Sequence, residues 1–152
     1  MPDTRLVALL DAFDGAQRRA ALERLLGLEQ HGELSPAPVG EAFNLHAHTF
    51  FSYNGAGYSP SHLVWRAHRQ GWWALGTVDF DVLDGVDETL AAGELAGLRA
   101  AAGVETRVYV PELADAESNS PGEPGIMYLV GVGFAASTAA PAAADALARD
   151  NR

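Results

Sequence analysis

Ala42-Phe43-Asn44-Leu45-His46-Ala47-His48-Thr49 is the stretch that decides how this chain folds. Ala42 to His46 has the length and apolar content of a short buried strand, and His48 lies just past its end. Side chains at i and i+2 of an extended segment point to the same side, so both imidazoles face one way. At the mouth of a sheet or barrel that places two nitrogen ligands within reach of one metal ion. Two loop histidines bonded to backbone groups are the alternative.

Downstream, strands and helices alternate. Asn54-Gly55-Ala56-Gly57 is a flexible loop, and Ser59-Pro60 starts a helix with serine as N-cap and proline at the first helical position. Leu63, Val64 and Ala67 give that helix its apolar face, and Gly71 ends it in a left-handed conformation. A second strand is predicted over Trp72 to Val78, with one tryptophan packing under a helix and the other at the barrel end. Asp84 is placed to cap a third helix in which Ala91, Leu95 and Leu98 share a face. Gly103 to Val110 and Ile126 to Val132 read as the third and fourth strands. Between them, the polar, Pro- and Gly-rich run Asp115 to Gly125 is an exposed loop. Strands separated by helical segments predict an α/β fold with parallel pairing and crossover helices.

Upstream, Leu6, Leu9, Leu10 and Phe13 mark one stripe of a helix. Asp14 and Gln17 have the spacing of a capping box for a second helix, whose Leu22, Leu25 and Leu26 share a face and which fades near His31-Gly32. Ser35-Pro36-Ala37-Pro38 is a stiff connector. The chain therefore divides into a helical extension and linker over residues 1–40, an α/β domain over 41–134, and an alanine-rich tail over 135–152 with little to bury.

The 152 residues suffice for one domain, and an apolar fraction of 48% fits a folded globular protein. Ten basic against twenty acidic residues give a formal charge of −10. Such a field repels phosphate backbones and anionic lipid surfaces, which argues against nucleic-acid and membrane partners. With no cysteine, disulfides and thiolate chemistry are excluded, and a metal must be held by His, Asp, Glu or water. Neither a leader pattern nor a spanning run of about 18 apolar residues is evident, so the cytoplasm is the expected location.

Polar residues recur at the ends of the later strands, where α/β proteins gather their ligands. Asp79 and Asp81 stand two apart at the end of the second strand, and Glu105 and Arg107 share a face of the third. A turn role for Asp81 and a pairing of Arg107 with Glu105 are the structural alternatives. His62 and His68, six apart on one helix, are expected at the surface and not as ligands.

These motifs, in this order, resemble the first part of a polymerase-and-histidinol-phosphatase (PHP) domain. The matching runs are His46-Ala47-His48-Thr49 through Ser59-Pro60, then Val78-Asp79-Phe80-Asp81 with Gly85 and Glu88, then Gly103-Val104-Glu105. The resemblance implies a distorted barrel of which about four of seven strands are present, preceded here by the helical extension. It implies a metal-dependent hydrolase of phosphate esters, a phosphoesterase acting on small molecules, with one or two divalent ions, zinc or manganese. By position, His46 and His48 would ligate the first metal and Glu105 would bridge it to a second. Asp79 and Arg107 would serve catalysis, with Arg107 facing the phosphate.

The chain also departs from that pattern. Phe80 stands where the second motif carries a ligating histidine, and Tyr53-Asn54 where an acidic or histidine ligand is expected. Tyr128-Leu129 stands near another expected histidine, and no histidine follows His68. An altered or incomplete metal site is therefore expected. A non-catalytic remnant serving as a binding or structural module is the second reading, and a truncated frame, self-association or completion by another chain is the expectation for the open barrel.

Overall fold

A computed structural model describes residues 4–118 and 120–135, so the alanine-rich tail beyond Ala135 lies outside the described residues. In chain order the elements are α1 (Thr4–Ala8) continued by a 3-10 turn (Leu9–Asp11), α2 (Gly15–Gln30), β1 (Phe43–Ala47), α3 (Pro60–Arg69) and β2 (Ala74–Phe80). They continue with α4 (Val86–Ala96), β3 (Arg99–Tyr109), a 3-10 turn (Pro111–Leu113) and β4 (Ile126–Val132). The strands form one sheet in the order β1-β2-β3-β4. β1, β2 and β3 run parallel, with α3 and α4 as crossovers, giving the expected α/β partial barrel.

The fourth strand corrects the all-parallel expectation. β4 runs antiparallel to β3, from Gly103↔Val132 to Tyr109↔Ile126. A parallel return needs a crossover, usually a helix with an apolar face, and the Pro-, Gly- and acid-rich run before β4 has none. A short turn and loop close a wide hairpin instead.

β1 also differs from a buried strand: Phe43 and Leu45 are 63% and 45% exposed. Apolar composition marks a face to be covered, but among the described residues β1 is an edge with only β2 beside it. Its register slips between Asn44 and Ala47, opposite Gly76. A Cβ on Gly76 would stand 2.8 Å from the Leu45 Cα, so this glycine permits the close approach. β2 starts two residues later than expected and is buried throughout, which places Asp79 inside the strand. Trp72 packs against the core, whereas Trp73 is half exposed between Phe43 and Arg99.

The helices meet on the outer side of the sheet. Asp14 caps α2 by accepting from the Ala16 N–H at 2.9 Å, as its position predicted. The helical stripe ends earlier than expected, because the turn stops at Asp11 and Phe13 is fully exposed. Leu10, Leu22 and Leu25 are fully buried in one apolar cluster with Val64, Trp65, Leu75, Ala92 and Ala96. Each such leucine contributes roughly 1.5–3 kcal/mol. The N-terminal helices are thus an outer layer on α3 and α4.

Polar ties fix that layer. Arg18 is buried, donates to the Ala12 and Phe13 carbonyls at 2.8 Å, and forks onto Glu88 of α4 through Nε at 2.9 and 3.1 Å. Glu88 also accepts from the Ser61 N–H and hydroxyl at the start of α3. His62 is buried against Asp11 at 2.6 Å, and His68 meets Glu29 at 2.6 Å. The surface expectation for His62 fails because α1 and its 3-10 turn cover that face of α3.

In α3, Ser59 caps by accepting from the His62 N–H at 3.0 Å, and Gly71 adopts the left-handed φ of +68° that its position predicted. α4 is capped by Gly85 and not by Asp84, and its buried face is Val86, Thr89, Ala92, Gly93 and Ala96, with Leu95 turned outward. Small residues bring this helix close to β3: a Cβ on Gly93 would lie 2.4 Å from the Ala100 Cβ.

Candidate metal centre

Parallel pairing with β2 between them brings the end of β1 close to Glu105, which lies within β3 opposite Phe80 at the end of β2. The His46 Nε2 lies 2.8 Å from the Glu105 Oε2, and the His48 Nε2 lies 3.3 Å from the same oxygen. Donor atoms of these three residues all fall within 4.8 Å of one another, the one such cluster found among the described residues. Ligand atoms on one tetrahedral ion with bonds of about 2.0–2.1 Å stand roughly 3.3 Å apart. The His48–Glu105 separation matches that value, and His46 would need to withdraw by only a fraction of an ångström. With its proton on Nε2 a neutral imidazole donates directly to the Glu105 carboxylate at these distances; with its proton on Nδ1 the ring turns a lone pair to the same point, where a cation would bridge the two. Two imidazoles and a carboxylate are a donor set that fits a divalent ion.

Neighbours hold the histidines in place. The His46 backbone N–H donates to the Asn44 Oδ1 at 2.9 Å. The Ser52 hydroxyl donates to the Asn54 Oδ1 at 2.6 Å and accepts from the Phe80 N–H at 3.2 Å. Its oxygen lies 3.4 Å from the His48 Nδ1. With its own proton spent on Asn54, Ser52 favours the tautomer with a proton on Nδ1 and a lone pair on Nε2. Ser52 escaped the sequence reading, because a loop serine carries no periodic signal.

Asp79 is buried and is not part of the His46–His48–Glu105 cluster. Its Oδ1 accepts from the Thr49 N–H and its Oδ2 from the Thr49 hydroxyl, both at 2.6 Å. Burial pushes the Asp79 carboxyl above its ordinary range, while the two Thr49 bonds and the nearby His48 pull the other way. Asp79 and Asp81 do not converge. Asp81 takes a φ of +59° at the strand end, donates its N–H to the Glu105 carbonyl and accepts from the Thr106 hydroxyl at 2.6 Å. Its turn role is the one observed.

Arg107 pairs with Glu123 and not with Glu105. The Ser120 hydroxyl and then Arg107 hold the Glu123 carboxyl below its usual range. Phe80 stacks on the His48 ring, with centroids 5.2 Å apart and an 8° tilt. Tyr53 and Tyr128 close over Phe80 at 5.0 and 5.7 Å. Three positions at which the motif comparison lacked ligands therefore form one aromatic cluster against the second histidine. Asn54 directs its oxygen to Ser52.

No family model matches the chain, and none of the curated proteins matches it. A solved structure from Bifidobacterium adolescentis, of a protein named a putative metal-dependent phosphoesterase, is similar over 74% of this chain and 34% of its own length. The TM-score is 0.52 and the identity 21%. The likeness is one of fold, and it fits the partial barrel. The chain spans about a third of that protein's length. No described helix is long and apolar enough to cross a membrane.

Proposed function

We propose that this chain carries part of a PHP-type metal-dependent hydrolase fold that acts on small phosphate esters through an altered metal site. The observation that carries the reading is the convergence of His46, His48 and Glu105 from two parallel strands of the sheet. The motif order and the partial-barrel fold support it, as does the description of the similar protein as a metal-dependent phosphoesterase.

The three residues hold one or two divalent ions, zinc or manganese. A bound ion supplies the acidified water and the charge that phosphate-ester hydrolysis requires. Ser52 fixes the His48 tautomer, and Phe80 sets the plane of its ring. Asp79 acts as a positioning residue by locking Thr49, the residue next to His48, through both of its oxygens. Arg107 meets the phosphate by exchanging Glu123 for a substrate oxygen, a bidentate pairing its planar fork is suited to.

The aromatic cluster favours a second reading. Phe80, Tyr53 and Tyr128 fill space where further ligands would be needed, which suits a module that keeps the fold without turnover. Hydrolysis of p-nitrophenyl phosphate with added manganese or zinc separates the two. Turnover that disappears in His48→Ala supports the hydrolase. Metal binding without turnover of this or other phosphomonoesters supports the module.

A further inference from the structure

A cleft of about 350 Å³ lies between the outer edge of β1, the loop after it and α3; His48, Asn54, Tyr58, Leu63, Arg66 and Gln70 are among its lining residues. Its volume falls within the range of small-molecule sites. It meets the metal centre at His48, but neither His46 nor Glu105 lines it.

Two features specify what it would hold. The first is Arg66. Its guanidinium sits 4.5 Å from the Tyr58 ring centroid. Arg18, Arg19, Arg69 and Arg107 each pair with a glutamate, whereas Arg66, Arg24 and Arg99 form no salt bridge with a carboxylate among the described residues; of these three only Arg66 lines the cleft. A guanidinium lying over a ring keeps its N–H groups in its own plane, available to an acceptor. At the wall of the cleft, a guanidinium without a carboxylate partner can receive an anion from outside the chain.

The second feature is the orientation of three amides in the lining. The Asn44 Oδ1 accepts from the His46 N–H at 2.9 Å, the Asn54 Oδ1 from the Ser52 hydroxyl at 2.6 Å, and the Gln70 Oε1 from the Trp72 Nε1–H at 3.1 Å. A backbone N–H and an indole N–H can only donate, so Asn44 and Gln70 must face them with oxygen. All three amide oxygens are engaged within the protein, leaving each residue its NH2 group to offer. Gln70 follows Arg66 by one helical turn, on the same face. The polar side chains of the cleft are thus rich in donors, and the apolar remainder includes Leu63 and Leu75.

We propose that this cleft binds the oxyanion of a small organic molecule, a phosphate or carboxylate on an apolar body, with Arg66 as its principal partner. The apolar body lies along Leu63, and the ligand's far end is directed to His48. This binding does not require the metal.

Calorimetric titration of the full chain, in chelator, with inorganic phosphate, phenyl phosphate and benzoate tests the proposal. At least one probe is expected to bind. Phosphate probes binding alone assign a phosphate ligand, and benzoate binding alone or in addition extends it to carboxylates. Arg66→Gln should weaken binding at least tenfold. Gln70→Glu, which places a carboxylate one turn from Arg66, should abolish it, with the helical circular dichroism of both variants retained. His46→Ala, outside the cleft, should leave probe binding intact while impairing metal binding. If the wild-type chain binds probe but no metal, the hydrolase reading fails and this one stands. The proposal is overturned if no probe binds up to on the order of 10 mM, if Arg66→Gln binds as the wild type does, or if His46→Ala removes probe binding.

Discussion

Arg18→Leu tests whether the N-terminal helices are part of the folded unit. Arg18 is 5% exposed and makes hydrogen bonds to two backbone carbonyls and to Glu88. Leucine leaves the carbonyls of Ala12 and Phe13 and one side of Glu88 without their donor. Removing one partner of a buried ion pair costs about 3–5 kcal/mol. Glu88 keeps its two bonds from Ser61, which sets the expectation at the lower end, about 3 kcal/mol. For a chain of this size that is a fall in Tm of roughly 10 °C. Urea denaturation followed by circular dichroism measures it. The double variant Arg18→Leu/Glu88→Leu should lose less than the sum of the two single variants, because neither charge is then left alone. A loss under about 1 kcal/mol in Arg18→Leu, with additive singles, would refute the argument that this pair ties α2 to α4.

Two further outcomes concern the site. Because burial raises the folded value of Asp79 above its ordinary 3.8, the fold binds that proton more tightly than the unfolded chain does. The resulting contribution is full below 3.8 and is lost as pH rises through the folded value. Across that window the wild-type chain should gain stability relative to Asp79→Asn as pH falls, and a flat or reversed difference in urea midpoints would contradict the assignment. Phe80→His puts an imidazole beside His48 and level with Glu105 in the register. It should tighten manganese or zinc binding at least tenfold in calorimetry while costing about 2 kcal/mol of stability; unchanged affinity would show that Phe80 does not occupy a ligand position.

The three residues of the candidate metal centre were legible in the sequence because their signal is local. His46 and His48 are two apart on an extended segment, and Glu105 lies within a strand of the same sheet, level with the end of β2. The Ser59 cap and the left-handed Gly71 were legible for the same reason. What escaped depends on contacts between distant segments. His62 was placed at the surface because nothing in α3 announces that Asp11 lies over it. Leu95 was assigned to the core because size outranked fit, yet α4 packs closely through Ala92, Gly93 and Ala96. The apolar run of β1 marked a face to be covered but did not say that β1 is an edge. Glu123, in the loop between β3 and β4, does not announce itself as the partner of Arg107, because the antiparallel return of β4 brings it there.

The central claim rests on three donor atoms, and metal titration of the purified, chelator-treated chain examines it most directly. Calorimetry with zinc and with manganese should give saturable binding in the wild type, and none in the variant carrying His46→Ala and His48→Ala together. Binding that survives the double replacement would place the metal elsewhere, and a wild-type chain that binds neither ion would remove the metal centre from the account.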